Sequence, residues 1–126
     1  MLNSTIQSEL NHAEEALGSA EILLQAHYYR SSISRSYCSI YPVVRAVLRT
    51  KGIEIKKRAE AYKLVVSNFK KKDFDQRSLK LISQMQAYEE GFGRRVDFKK
   101  FEAENLLHEA RLFYLRMTQF LQNERS

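Results

Sequence analysis

SSISRSYCSIYPVVRAVLRTKG, residues 31–52, is the stretch that decides the fold of this chain. Its apolar residues recur at intervals of three and four, the spacing of one face of an α-helix. They are Ile33, Tyr37, Ile40, Val44 and Val47. The pattern predicts one amphipathic helix that Gly52 ends. A kink is expected inside it, because Pro42 cannot donate a hydrogen bond to the carbonyl of Cys38.

A second stripe on the same predicted helix carries three arginines. It consists of Arg35, Cys38, Pro42, Arg45 and Arg49. The planar guanidinium of arginine binds phosphate and carboxylate groups. Two interpretations stay open: the arginines contact the phosphates of a partner, or they are solvated or paired with glutamates of a neighbouring helix.

Four other segments have a helical pattern, and the last keeps the strictest spacing, from Ala103 to Phe120. They cover residues 4–25, 59–70, 76–90 and 99–122. Ser4 with Gln7 forms a capping-box pattern, and an aspartate at 73 or 75 is expected to cap the fourth helix. One proline, four glycines and no strand-like alternation favour helices throughout. We therefore predict an all-α fold, an up-and-down bundle of four to five helices with a long C-terminal helix, in a single domain over residues 1–126.

Positive charge is concentrated in the middle of the chain. The net charge is +6, and residues 49–80 hold eleven basic and four acidic side chains, a local charge of +7. Such a patch indicates an anionic partner, RNA or an acidic protein, or else a solvated lysine-rich surface. The single cysteine excludes an internal disulfide and a cysteine-based metal site. Together with the lack of a long apolar run, it predicts a soluble, cytoplasmic protein without cofactor or metal.

The segment GFGRRVDF, residues 91–98, is the most irregular part of the chain. Two glycines, two adjacent arginines and an aspartate lie within eight residues, and loops on a rigid scaffold often carry function. Arg94, Arg95 and Asp97 are therefore candidate site residues.

Several of these segments resemble the HEPN family of small helical bundles. SRSYCSIYPVVRAVL is similar to the family pattern sRaYYAmf-aaRAlL, AYKLVVSNF (61–69) to its third helix, RRVDF (94–98) to its R--aDY, and residues 105–121 to its terminal helix. The matches in the first pattern are Arg35, Tyr37, Ile40, Tyr41, Arg45, Ala46 and Leu48. The resemblance implies a helical domain that forms a homodimer or pairs with a nucleotidyltransferase, as small toxin–antitoxin HEPN proteins do.

The sequence departs from the family at the positions that carry catalysis. Many HEPN domains are metal-independent ribonucleases with an Arg followed after four to six residues by a His, and none of the three histidines here has that spacing. The family's helix-three His falls at Tyr62, and a tyrosine, whose ordinary pKa is about 10, is a poor proton carrier at neutral pH. The enzyme question is left open, with the sequence favouring a non-enzyme.

Three functions are compatible with these observations. The first is a non-catalytic HEPN-like module that contacts nucleotide or RNA phosphate through Arg35, Arg45, Arg94, Arg95 and Asp97. The second is a toxin-like ribonuclease with a rearranged site that includes Arg35, Arg45 and Arg94 together with Tyr62 or Asp97. The third is a structural or regulatory bundle that binds an acidic protein. A Gly-rich phosphate loop, a GxSxG elbow and an HExxH motif are absent from the sequence.

Overall fold

The computed structural model describes residues 3–91 and 97–124 of the chain. Within these ranges the backbone forms six α-helices and a short 3-10 turn at Arg58–Glu60, without a β-strand. The helices are α1 (Ser4–Gln25), α2 (Tyr29–Cys38), α3 (Ile40–Arg49), α4 (Ala61–Asn68), α5 (Gln76–Glu90) and α6 (Lys100–Glu124). The predicted all-α bundle with a long C-terminal helix is confirmed, and α2 and α3 together occupy the place of one predicted helix.

The first helix begins and ends where its apolar periodicity predicts. Its cap is Asn3 rather than Ser4, because the Asn3 side chain accepts a hydrogen bond of 2.9 Å from the backbone N–H three residues later. The predicted capping box is therefore wrong by one position. After α1 the chain turns through His27, which has a left-handed φ of 69°. The N–H of Tyr28 then donates to the carbonyl of Leu23 at 2.8 Å and closes the turn.

The single helix predicted over residues 31–52 is wrong, because the chain breaks it at Ser39. The ring of Pro42 clashes with the carbonyl four residues earlier, that of Cys38, and cannot donate a hydrogen bond to it. The break therefore lies directly after Cys38, and the kink expected from the proline is found three residues before it. The Ser39 hydroxyl donates to the carbonyl of Ser36 at 2.6 Å, which satisfies one of the backbone groups that the break exposes.

The third predicted helix is shorter than the pattern over residues 59–70 indicates. Residues 58–60 wind as a 3-10 turn, and Phe69 returns to extended backbone with φ −126° and ψ 150°. Gly52 follows α3 with a φ of 71°, the conformation for which glycine was predicted there. The fourth predicted helix is α5, and it has the predicted bounds. Its cap is Asp75, whose carboxylate accepts a hydrogen bond of 2.8 Å from the N–H of Ser78.

The core of the bundle forms where α1, α2, α3 and α6 pack against one another. Leu106 and Phe120, which were expected in the central stripe of α6, are only half-buried. Their neighbours Leu107 and Leu121 take the buried positions instead. The other buried residues of this helix are Ala103, Ala110, Phe113 and Met117.

Polar contacts at the rim show that α1 and α6 run antiparallel. The Arg111 guanidinium of α6 lies 3.6 Å from the Glu21 carboxylate of α1, and the Tyr114 hydroxyl donates to Glu14 at 2.7 Å. The positions therefore rise along α6 as they fall along α1, as in an up-and-down bundle. In the ranges that the structure describes, every helix is too short or too polar to cross a membrane.

Candidate functional site

The arginines of the second stripe have different surroundings. Arg35 lies in the last turn of α2. It is half-buried, and it forms no hydrogen bond or ion pair with the residues that the structure describes. The Nε atom of Arg49, at the end of α3, is buried and likewise has no acceptor among those residues. These two side chains therefore have hydrogen-bonding capacity that the described part of the fold does not use.

Arg45 is held inside the bundle by a carboxylate of α1. Its Nε donates to Oε2 of Glu9 at 2.6 Å, and its guanidinium lies 4.9 Å from the centre of the Tyr41 ring. Glu9 is only 7% exposed, and a buried carboxylate is costly unless a cation and a hydrogen bond compensate it. The buried Glu9 is thus a structural partner of Arg45 within the fold.

A second guanidinium lies over the same tyrosine ring. Arg58 is 4.6 Å from the centre of the Tyr41 ring, and its Nη1 donates to Oε1 of Glu89 at 2.9 Å. The network from Glu9 to Glu89 thus connects α1, α3, the 3-10 turn and α5. Cations that are shared between an aromatic face and carboxylates in this way stabilise the packing of elements that are distant in sequence.

Two of the three candidate residues in the irregular segment are outside the described residues. Arg94 and Arg95 belong to this group, and their role as candidates stays a prediction. Asp97 is described and lies exposed shortly before α6. The described chain leaves α5 at Gly91 and resumes at Asp97, three residues before α6.

A groove of about 300 Å³ adjoins the start of α6. Tyr37 and Phe98 contribute to its lining, and the Tyr37 ring packs on that of Tyr88 with centroids 4.6 Å apart. Burial, and then the nearby Tyr88 and Glu102, raise the pKa of the Tyr37 hydroxyl above its ordinary value. This phenol therefore stays protonated at neutral pH and cannot act as a general base there. The family-like tyrosine of α2 has a packing role at this position.

In the basic segment, residues 49–80, two arginines form ion pairs with carboxylates of the described chain, whereas the lysines do not. Arg58 pairs with Glu89, and Arg77 forms a two-pronged contact of 3.1 and 2.7 Å with Glu109. The exposed lysines have no carboxylate partner among the residues that the structure describes. They are Lys51, Lys56, Lys57, Lys63, Lys70, Lys71, Lys72 and Lys80. The charge that stays available to a partner in this segment is therefore mainly lysine charge.

The described residues contain no group of three or more His, Cys, Asp and Glu side chains that could hold a metal ion. His12 and His108 are exposed, and the Nδ1 of His27 lies 2.8 Å from the hydroxyl of Tyr29.

The comparison with known families agrees with this geometry. The HEPN domain model matches residues 6–119, so the chain belongs to the HEPN family. A curated relative, "Putative toxin MJ0142" of Methanocaldococcus jannaschii, is 29% identical over 119 residues, which is 92% of this chain and 81% of the relative. "Putative toxin MJ0605" of the same organism is 35% identical over 63 residues, 50% of this chain and 47% of the relative. "UPF0332 protein PH1297" of Pyrococcus horikoshii is 32% identical over 72 residues, 57% of this chain and 51% of the relative.

Proposed function

We propose that this chain is a non-catalytic HEPN module that contacts the phosphates of nucleotide or RNA, and that it acts as a homodimer or with a nucleotidyltransferase protein. The observation that carries the proposal is the row of exposed lysines without carboxylate partners in residues 49–80, within the described part of the chain. Uncompensated cations of this kind attract polyanions and release counterions from them. A reducing cytoplasm is the compartment that suits the single, unpaired Cys38.

The sequence around the family's catalytic positions supports the non-catalytic part of the proposal. No histidine follows an arginine at the family spacing, and Tyr62 stands at the helix-three histidine position. Cleavage of RNA without a metal needs a group that moves a proton at neutral pH. Tyr37, the tyrosine of the family motif in α2, is packed on Tyr88 and has a raised pKa.

Arg35, Arg94, Arg95 and Asp97 are the proposed residues at the phosphate contact, in addition to the lysines of the basic segment. Arg35 has no competing partner in the described chain. Arg45 keeps 33% of its side-chain surface exposed, so its free Nη groups can add to a phosphate contact while its Nε stays on Glu9. We assign Arg45 mainly to the fold and Arg35 mainly to the partner.

The test measures two quantities in solution. Light scattering gives the molecular mass, and titration with short single-stranded RNA at low and high salt gives the RNA affinity. We expect a dimer whose RNA affinity falls with added salt, and we expect Arg94→Ala/Arg95→Ala to weaken it. Lys99→Ala/Lys100→Ala is the matched control, since it removes the same charge from two other exposed residues. Equal weakening by both pairs would show a general charge effect. Binding that salt does not reduce would favour an acidic protein partner, the structural or regulatory alternative.

The nucleotidyltransferase part of the proposal has its own test. Co-expression with a nucleotidyltransferase encoded beside the gene, followed by size-exclusion chromatography, should give one complex. If the two proteins elute separately at concentrations well above those in cells, the homodimer alone stays in the proposal.

A toxin-like ribonuclease is the second candidate, because two relatives carry the word toxin in their names. It requires cleavage of single-stranded RNA in the presence of a chelator, and loss of that cleavage in Arg94→Ala. Cleavage that persists in Arg94→Ala comes from a contaminant, and its absence in the wild type removes this candidate.

A further inference from the structure

A second groove, between α4 and α5, lies outside the residues discussed so far as a phosphate contact. Its volume is about 640 Å³, within the range of small-molecule sites. We call it the α4–α5 groove. It is lined by Tyr62, Gln76, Arg77, Lys80, Ser83 and Gln84.

Tyr62 offers an accessible aromatic face on a backbone that is anchored to α5. Its side chain lines the groove and the residue is 38% exposed. Its backbone N–H donates to Oε1 of Gln86 at 2.8 Å, which holds the first turn of α4 against α5. Val66, one helical turn later, is 50% exposed and extends the apolar surface. An accessible aromatic ring is a platform on which a nucleobase can stack.

Cations and hydrogen-bonding groups lie on the opposite wall, on α5. Lys80 is exposed and has no carboxylate partner within the described chain. Arg77 is held by Glu109 through two hydrogen bonds, and 60% of its side-chain surface stays exposed. Ser83 and Gln84 add a hydroxyl and an amide that can bond base edges or ribose.

Two other grooves on the described surface are less suited to an anion. The groove beside Phe98 contains Glu102 and Glu109 in its lining, and a groove of about 330 Å³ near the start of α5 contains Asp73 and Asp75. Carboxylates at these positions repel phosphate. No carboxylate lines the α4–α5 groove, although Glu109 neutralises part of the Arg77 charge from beside it.

We propose that the α4–α5 groove binds one nucleotide unit, with the base stacked on Tyr62 and the phosphate contacted by Lys80 and Arg77. The proposal rests on the proposed function, which it deepens by assigning a base-binding position to residues of α4 and α5. The same chemistry is present in a free mononucleotide and in a single-stranded RNA. The RNA is the better fit, since the basic segment continues with exposed lysines beyond the groove.

The chain has no tryptophan, so Tyr62→Trp introduces a single fluorescent reporter into the groove. We expect its emission to be quenched when short single-stranded oligoadenylate binds, because the base stacks on the indole. Tyr28→Trp is the matched control. It replaces a tyrosine that is 63% exposed at the α1–α2 turn, and its emission should not change. Titration with adenosine monophosphate is the second arm, and quenching there at similar concentrations would assign the groove to free nucleotide.

Affinity measurements on unlabelled variants complete the test. Tyr62→Ala should weaken oligoadenylate binding by about 5- to 150-fold, the range for loss of one stacked base. Tyr62→Phe keeps the ring and should stay within about twofold of the wild type. Lys80→Gln should lower the slope of log affinity against log salt by the amount expected for about one phosphate contact. Lys100→Gln should leave this slope unchanged. Circular dichroism checks that each variant is folded.

The outcomes separate this inference from the proposed function. Suppose that the wild type binds RNA in a salt-dependent way, that Tyr62→Ala binds equally well, and that the emission of the Tyr62→Trp variant is not quenched. The groove assignment is then overturned and the proposed function stands. If the wild type binds neither oligoadenylate nor adenosine monophosphate, both are overturned.

Discussion

Removing only the arginine of the Arg45–Glu9 pair should destabilise the bundle strongly, whereas removing both charges should not. The pair joins Nε and Oε2 at 2.6 Å, and Glu9 is 7% exposed. Breaking a buried pair from one side costs about 3–5 kcal/mol. Because 33% of the Arg45 side chain is exposed, water can solvate part of the abandoned carboxylate, so we expect the lower end, about 3 kcal/mol for Arg45→Met.

The assay is thermal and urea unfolding, followed by circular dichroism, of a double-mutant cycle. Arg45→Met should lower Tm by about 10–15 °C for a chain of this size. Glu9→Leu leaves a cation that is partly solvated, and should cost about 1–2 kcal/mol. The double variant should lie within about 1 kcal/mol of the wild type, which gives a coupling energy of about 3–6 kcal/mol.

The surface pair Glu21–Arg111, at 3.6 Å with both side chains more exposed, is the matched control. Its cycle should give a coupling energy below about 1 kcal/mol. The reasoning is refuted if the two changes at Glu9 and Arg45 are additive, or if Arg45→Met costs no more than Arg111→Met. RNA affinity of the folded double variant then tests the division of roles. Unchanged affinity would confine Arg45 to the fold, and a clear loss would restore it as a phosphate contact.

Three further changes test local features of the fold. Asp75→Ala should cost about 1 kcal/mol through loss of the α5 cap. Although partial burial alone would raise the pKa of this carboxyl, the hydrogen bond from the N–H of Ser78 and nearby arginines lower it, so the wild-type advantage in urea unfolding should be present above about pH 4 and vanish as pH falls further. His27→Gly should raise stability by about 1 kcal/mol in thermal unfolding, since glycine adopts the left-handed backbone without a Cβ penalty. Burial, and then the hydrogen bond to Glu14, raise the pKa of Tyr114 to about 12. The wild type should therefore lose stability as pH rises from about 10, and Tyr114→Phe should lose less in an alkaline unfolding series.

Helices with a clear apolar period and a capping residue were predictable from the sequence. The bounds of α1 and α5 agree with the predicted ones, because each starts beside a side chain that caps it and carries apolar residues in register to its end. The Cys38 carbonyl that Pro42 leaves without a donor predicted a kink inside one helix, and the structure has instead a break into α2 and α3 at Ser39. The shortening of α4 was missed because residues 58–60 are compatible with both a 3-10 and an α turn, and the choice depends on tertiary contacts such as Arg58 to Glu89.

Contacts between distant residues were less accessible to sequence reasoning. Glu9 and Arg45 are 36 positions apart, and a pattern on one helix does not specify its partner on another. The burial of Glu9 did have a signal in the sequence. Glu9 lies four residues before Ala13, and this spacing places it at the edge of the buried face of α1. The α4–α5 groove arises only when the first turn of α4 is placed against α5. Arg35, Arg94, Arg95 and Asp97 stay predictions.

The arginines and the lysines of the described chain differ in their carboxylate partners, and this difference allows a quantitative test of the proposed function. Five arginines of the described chain lie 2.6–3.7 Å from a carboxylate, at positions 45, 58, 77, 111 and 116. No lysine in the same ranges has such a partner. Arginine suits fixed, two-pronged contacts within a fold, whereas lysine is a mobile point charge that can follow a flexible backbone. If lysines supply the phosphate contacts, each one removed by Lys→Gln in residues 49–80 should lower the slope of log affinity against log salt by about 0.7 for a single strand. A slope that stays constant through such a series would move the contact to Arg35 and the segment around Arg94.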